Sequence, residues 1–434
     1  MRYDKKVIAV QWHITDKCQK KCRHCYVGKR NVREMELVNI EQIVSDLIKY
    51  GTNNDVDYEF YITGGDPLLH KNCYDVFSLF KENKLSYSIM CNPEAIDTVV
   101  IDKLSKLDVK SIQFSIDGME KTHDNIRGNG SFKELMRAID QVKMADIKIG
   151  LMFTLYEPNI NDLFEVMHLA NCLQVDRFSF DIGIGIGNAK ENCLKMVSTS
   201  QIIQILNDYI VEKQLIKEKG TKTFFEEKCN LINAIRMEQG IFSCPQEENI
   251  IIFDGCQMGV NNFVIDVNGD VLGCRRLGEA SYCGNLLETG IEQIWKYSSF
   301  LKKQRTKVLT KNNCKDCDAR NWCQGCEAYE HAAADKENNV LQPLCGNLLS
   351  ISCGKKQEVN KKEKGNVINK FVMQDCNTAL IKKMEFKKAY IYILLNKNHQ
   401  KELLNNYIEY AQDNNLDIEL CRWLYYLFVN RYKM

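Results

Sequence analysis

The sequence predicts an α/β protein: a partial (β/α)6 barrel, then a small cysteine-rich domain, then an α+β tail. Three observations carry this. Over the first two hundred residues, apolar runs alternate with amphipathic stretches at short spacing, the pattern of parallel strands joined by helices. That alternation yields six strand–helix units, too few to close an eight-stranded barrel, so a TIM-like barrel would stay open, with catalytic groups at the C-terminal ends of its strands. The third is 20 cysteines, many of them at short, regular spacings.

In chain order, Val7–Thr15 reads as the first strand. Asn39–Tyr50 follows as a helix, with Ile40, Ile43, Val44, Leu47 and Ile48 on one face. Tyr58–Thr63 is the second strand, Cys73–Asn83 a helix, and Leu85–Cys91 the third strand. Helix Glu94–Lys106 leads to strand Lys110–Ile116, and helix Ser131–Met144 to strand Ile147–Thr154. Helix Asn161–Leu173, strand Asp176–Asp181 and helix Ser200–Glu212 complete the series, so residues 1–212 form the barrel domain. Residues 213–255 read as a less regular bridge. Residues 256–353 form the cysteine-dense domain, with one hairpin: Asn262–Val267, a turn at Asn268-Gly269, then Asp270–Cys274. Residues 354–370 hold six Lys and two Glu, a solvated linker. The tail, 371–434, has a strand-like run at Ala389–Leu395 and two amphipathic stretches, Lys401–Gln412 and Glu419–Tyr432.

Composition narrows the function classes. Lys plus Arg (58) balances Asp plus Glu (57), which argues against nucleic acid as a partner and against electrostatic membrane attachment. The charged start Met1–Lys6 does not read as a signal peptide, and no apolar stretch approaches the ~20 residues of a membrane span. A cytoplasmic location is therefore expected. In that reducing compartment metal binding explains a cysteine excess better than disulfides do.

The first constellation is Cys18-x3-Cys22-x2-Cys25, in the loop after the first strand. Three thiolates this close can wrap one metal centre. Four-iron clusters normally take four cysteines, so a three-cysteine loop leaves one iron open to a small molecule. A zinc site using His24 as a fourth ligand is the competing reading. The spacing, with His24 and Tyr26 beside it, resembles the signature of radical S-adenosylmethionine (radical SAM) enzymes. The resemblance continues along the strand ends. Gly64-Gly65-Asp66-Pro67 resembles the family's Gly-Gly-Glu-Pro motif, with Asp for Glu, which implies that Gly64, Gly65 and Asp66 hold the methionine amino group of SAM. Ser115-Ile116-Asp117-Gly118 with His123-Asp124 and Arg127-Gly128 resembles a further family block. It implies that Ser115 and Asp117 lie near SAM or substrate, and that Arg127 faces the SAM carboxylate. Each of these could also be a turn or capping residue. Cys91-Asn92-Pro93 departs from the family's Thr-Asn-Gly. The resemblance implies that the cluster passes one electron to SAM, which splits to methionine and a 5′-deoxyadenosyl radical able to take hydrogen from an unactivated carbon.

The second constellation is Cys256-x12-Gly269-x4-Cys274, then Cys314-x2-Cys317-x5-Cys323-x2-Cys326, then Cys345. It resembles the SPASM domain, departing from it by x2 instead of x3 before Cys326. The resemblance implies an outer auxiliary four-iron cluster on Cys314, Cys317, Cys323 and Cys345, and an inner one on Cys256, Cys274 and Cys326. Three four-iron clusters are then expected in all. The inner cluster's fourth ligand is Cys283, Cys244 or an open position. A zinc site on Cys314, Cys317, Cys323 and Cys326 is the alternative. The remaining cysteines, Cys229 among them, read as small buried hydrophobes.

Enzymes with this domain pair mostly act on peptides or proteins, so a peptide maturase is expected, forming a thioether crosslink in a ribosomally made peptide. The alternatives are a formylglycine-generating sulfatase maturase, another SPASM dehydrogenase, or a non-catalytic iron–sulfur protein. Arg275-Arg276 after Cys274, where the sulfatase group has Asp, lowers the formylglycine reading. An external electron donor such as flavodoxin or ferredoxin is implied. Because the first strand begins at Val7, no leader-binding domain is expected ahead of the barrel. A separate leader-binding protein, or the tail, would take that role.

Overall fold

Strand β1 (Lys6–Thr15) shows how the sheet is organised: Ile8, Val10, Trp12 and Ile14 are buried on one face, while Gln11 and His13 point the other way and are half-exposed. A strand's side chains alternate between faces, so one face takes the helix layer and the other a polar interior. β4 (Ser111–Ser115) repeats the pattern, with Ile112 and Phe114 under the helices and Gln113 and Ser115 facing inward.

The computed structural model describes residues 6–28, 32–238, 256–310, 323 and 325–334. The chain forms two units. One comprises Val7–Ile235 and Phe253–Leu348, and everything below concerns it. The other comprises Met1–Lys6, Arg236–Ile252 and Leu349–Met434, of which residues 6 and 236–238 are described. The expected linker and tail, with Cys244, Cys314, Cys317 and Cys345, lie outside the described residues.

The six expected strand–helix units are present. After β1 come α1 (Leu37–Asn54), β2 (Val56–Gly64), α2 (Cys73–Glu82), β3 (Ser86–Met90), α3 (Thr98–Ser105) and β4 (Ser111–Ser115). Then follow α4 (Glu120–Arg127), α5 (Ser131–Met144), β5 (Lys148–Leu155), α6 (Leu163–Cys172), β6 (Arg177–Ile182), α7 (Asn188–Glu191) and α8 (Thr199–Glu218). α3 starts four residues later than Glu94, because Asp97 caps it, its carboxylate accepting from Val100 N at 2.7 Å. α4 was not expected, since its polar sequence buries only His123 and Ile126.

The described part of the bridge, residues 213–238, is more regular than its sequence suggests. The boundary at 212 falls inside α8, and β7 (Phe224–Glu227) adds a seventh strand, parallel to β6, before α9 (Leu231–Glu238). Four residues with two glutamates are too short for a period-two signal. Glu226 and Glu227 are instead compensated by Lys228 and Lys213.

The hairpin forms as expected, as β8 (Asn262–Ile265) and β9 (Asp270–Leu272), with Gly269 at φ 88° in the turn. It does not build a sheet of its own. β8 pairs in parallel with β1, Ala9 opposite Asn262 and Trp12 opposite Ile265. β10 (Tyr282–Asn285) extends it, so one ten-stranded sheet runs β10-β9-β8-β1-β2-β3-β4-β5-β6-β7. α10 (Leu286–Tyr297) docks on α1, Ile291 N donating to Asp46 Oδ2 at 2.6 Å. α11 (Ser299–Thr310) and α12 (Glu327–Ala334) complete the described chain. The cysteine-rich segment thus extends the barrel sheet.

Candidate active site

The loop after β1 is pinned from three sides. Gly65 N donates to Thr15 O and Asp66 N to Lys17 O, both at 2.7 Å. A Cβ on Gly64 or Gly65 would overlap those same carbonyl oxygens, so this contact requires glycine. From α7, Asn188 N donates to Cys25 O at 2.9 Å and Asn188 Nδ2 to Cys22 O at 3.0 Å. From α4, Ile126 O accepts from Arg23 N at 3.0 Å. Held this way, Cys18, Cys22 and Cys25 line one cavity at the C-terminal ends of the strands, together with Gly64, Gly65, Ser115 and Arg127.

Polar donors face the sulfurs. Asn92 Nδ2 lies 3.4 Å from Cys18 Sγ, and Arg127 Nη1 3.7 Å from Cys22 Sγ. Burial pushes the Cys22 thiol up, and the Arg127 charge opposes it. Three thiols beside an open cavity with a guanidinium and an amide directed at them suit a cluster ligated from one side, leaving the cavity face for a small molecule.

The two carboxylates of the motifs sit behind the cavity wall. Asp66 is fully buried: Gln19 Nε2 (2.9 Å), Asn92 Nδ2 (3.1 Å), Asn92 N (3.2 Å) and Leu68 N (3.1 Å) donate to it. Asn92 and the glycines, not Asp66, are among the lining residues. Asp117 is also fully buried, bonded to Arg127 Nε, to His24 Nε2 at 2.8 Å and to Thr154 N at 3.1 Å. Burial would raise its pKa, but Arg127 and then His24 outweigh that and hold the carboxyl well below its usual range.

His123 braces the same turn, its Nδ1 accepting from Asp117 N at 3.1 Å. Burial, reinforced by Arg127, pushes it down to about 4. The folded state thus binds the proton more weakly than the unfolded chain, whose histidine titrates near ~6.5. Stability is complete above that value and is lost as pH falls toward 4, with about 2 kcal/mol expected to go between pH 7.5 and 5. Thermal unfolding of wild type and His123→Gln at both pH values checks this. An unchanged difference between the two proteins would mean that His123 is not a buried neutral imidazole.

The second constellation borders the same cavity. Arg275 and Arg276, next to Cys274, and Asp181, at the end of β6, are lining residues. Arg276 pairs with Asp181 at 3.0 Å and donates to Ile182 O at 3.2 Å, while its Nη2 lies 3.6 Å from Cys326 Sγ. Cys256, Cys274 and Cys326 are all electrostatic neighbours of Arg276. Arg275 bonds Gln11 Oε1 at 3.2 Å and covers the Tyr26 ring. Cys283 lies elsewhere: its Sγ donates to Ser281 O at 3.1 Å, and burial pushes it up to about 11. Cys323 is buried. Gln113, Thr154, Tyr156 and Gly183 also line the cavity and were not singled out from sequence. The run Gly183-Ile184-Gly185-Ile186-Gly187 after β6 was the available signal, as repeated glycines at a strand's end mark close approach.

A thiol-rich loop at the strand ends of a parallel β/α sheet, with Arg275 and Arg276 bringing the neighbourhood of a second cysteine set to the same cavity, fits an iron–sulfur enzyme. The chain contains a radical SAM superfamily domain, whose sequence model matches residues 12–170, and a SPASM iron–sulfur cluster-binding domain over residues 256–327. Such domains bind four-iron clusters and SAM.

Among curated relatives, the Fe-coproporphyrin III synthase of Methanosarcina barkeri is 24% identical over 50% of this chain, and the match spans 54% of that protein. The AdoMet-dependent heme synthase of Nitratidesulfovibrio vulgaris is 22% identical over 77% of this chain and 91% of its own length. The sporulation killing factor maturation protein SkfB of Bacillus subtilis is 25% identical over 66% of this chain and 64% of its own length. The structure of Streptococcus suis SuiB bound to S-adenosylmethionine superposes with a TM-score of 0.63 at 17% identity, covering 79% of this chain and 77% of SuiB. Among the described residues, no helix is long and apolar enough to cross a membrane.

Proposed function

We propose that this enzyme is a cytoplasmic peptide maturase that abstracts hydrogen from a ribosomally made peptide and closes a thioether crosslink. The observation that carries the reading is that Arg275 and Arg276, beside Cys274, line the same cavity as Cys18, Cys22 and Cys25. A peptide carbon activated over the first thiol set would therefore lie close to the second. SkfB is a maturation protein, and SuiB has been solved with its precursor peptide.

In this reading Cys18, Cys22 and Cys25 hold the catalytic cluster, and Gly64, Gly65, Asn92, Ser115 and Arg127 shape the SAM pocket. Asp66 and Asp117 position Asn92 and Arg127. Cys256, Cys274 and Cys326 hold the inner auxiliary cluster, and Cys314, Cys317, Cys323 and Cys345 the outer one. When bound, the first cluster and SAM supply the 5′-deoxyadenosyl radical, and the inner cluster supplies an acceptor for one electron. The balance closes: the peptide carbon loses a hydrogen atom, the substrate thiol loses a proton, a carbon–sulfur bond forms, and one electron remains to be accepted. Arg275 and Arg276 keep positive charge at the rim, which favours the thiolate. An external flavodoxin or ferredoxin delivers the first electron, and a separate leader-binding protein presents the peptide.

The experiment is co-expression with a short cysteine-containing peptide encoded beside the gene, read by mass spectrometry. A loss of two hydrogens with one alkylatable thiol gone is expected. The same mass loss with every thiol still alkylatable would defeat the thioether assignment. Turnover of an iron porphyrin with no change in the peptide would replace the peptide reading.

A further inference from the structure

Three cysteines are apparent for the inner auxiliary cluster, and its fourth ligand is the open question of the site. Cys283 does not face them: its neighbours are Ser281, Ser298, Gly273 and Arg305. Cys229 adjoins one of them, Cys326, although nothing in its local sequence marks it. Lys228 N donates to Phe180 O at 2.9 Å, continuing the β6–β7 ladder, so the chain leaves the sheet at Cys229, just past the position opposite Asp181. Ile232 N then donates to Cys229 O at 3.2 Å as α9 begins. The Cys229 side chain is buried, and its electrostatic neighbours are Asp181, Cys323 and Cys326. Tyr329 of α12 adjoins both Cys229 and Cys326. Arg276 joins the group from the hairpin, paired with Asp181 and 3.6 Å from Cys326 Sγ. Asp181, Arg276, Cys326 and Cys229 thus form one group drawn from four separate segments, with Cys229 buried, the other three partly exposed, and Asp181 and Arg276 lining the cavity.

We propose that Cys229 is the fourth thiolate of the inner auxiliary cluster. The inference rests on the reading that Cys256, Cys274 and Cys326 hold that cluster. A four-iron cluster takes four thiolates when complete. A buried thiol beside Cys326, at the group where Arg276 meets Cys256 and Cys274, supplies the last one without any new charge being left uncompensated, because the cluster's irons take it up. The consequence is specific. An inner cluster closed by Cys229 has no free iron for a substrate thiolate, so it serves as an electron acceptor and the substrate thiol reaches the carbon radical unbound.

The test is anaerobic reconstitution of the full chain with 57Fe, comparing wild type, Cys229→Ser, Cys229→Ala and Cys283→Ser by iron and sulfide content, Mössbauer and EPR spectroscopy. Wild type and Cys283→Ser should carry about 12 irons with the same spectra. Cys229→Ala should either fall to about 8 irons or keep them with one auxiliary EPR signal changed and now responsive to added 2-mercaptoethanol. Cys229→Ser should keep an oxygen ligand and show shifted g values. The SAM-induced EPR change of the N-terminal cluster reports folding in every variant, and nearly isosteric Ser carries the test if Ala does not fold. Cys229 variants with wild-type iron and wild-type EPR would overturn the assignment while leaving the cluster itself standing. Wild type with about 4 irons would overturn the auxiliary-cluster reading beneath it.

Discussion

Replacing Cys18, Cys22 and Cys25 together with Ala is expected to reduce 5′-deoxyadenosine formation to background while removing about 4 of about 12 irons. The three thiols belong to one loop whose backbone is fixed by Thr15, Lys17, Ile126 and Asn188, so the substitutions delete ligands without removing what shapes the loop. The described cysteines of the second set, Cys256 before β8, Cys274 after β9, Cys323, and Cys326 ahead of α12, lie on segments held by the β8–β9 pairing and by backbone bonds such as Glu330 N to Cys326 O at 3.1 Å. Auxiliary iron should therefore persist. Dithionite-reduced protein incubated with SAM, followed by chromatography of the nucleoside products, measures the first part, and iron analysis the second. SAM cleavage by the triple variant at a wild-type rate would move the catalytic cluster elsewhere in the chain.

Asp117→Asn should destabilise the protein by about 3–5 kcal/mol, the usual cost of leaving a buried charge without its partner. Asn keeps the volume but loses the anion facing Arg127, whose side chain is only 13% exposed. It also sets an amide N–H against the donors His24 and Arg127. Because the folded carboxyl titrates below its usual range, its contribution is complete above about pH 4 and is lost only as pH falls through the lower folded value. The difference between wild type and Asp117→Asn should therefore be flat from pH 6 to 8. The double variant Asp117→Asn/Arg127→Met removes the orphaned charge and should recover most of the loss, since apolar replacements of buried pairs are often neutral. It should not recover SAM cleavage, because Arg127 also faces Cys22. Chemical denaturation of the three variants decides the matter. A loss under 1 kcal/mol for Asp117→Asn, or no recovery in the double variant, would show that the pair is not what holds this wall together.

The chemistry of the first cluster is legible in eight consecutive positions, Cys18–Cys25, since a loop of that length brings three thiols to one place whatever surrounds it. Six strands and most helices are likewise legible, because periods of 2 and 3.6 are local properties of the chain. Contacts between distant segments are not written that way. Asp66 and Asp117 stand in motifs that resemble ligand-binding ones, yet their burial is decided by Gln19, Asn92, His24 and Arg127, arriving from other loops and helices. The hairpin was visible, but its parallel pairing with β1, some 250 residues earlier, was not. Cys229 reads as an ordinary buried cysteine until β7 carries it to Cys326. Spacing constrains only residues the chain itself holds together. Which side chain meets which across the sheet is set by the order in which strands pack, and that order exists only once the apolar faces are buried together.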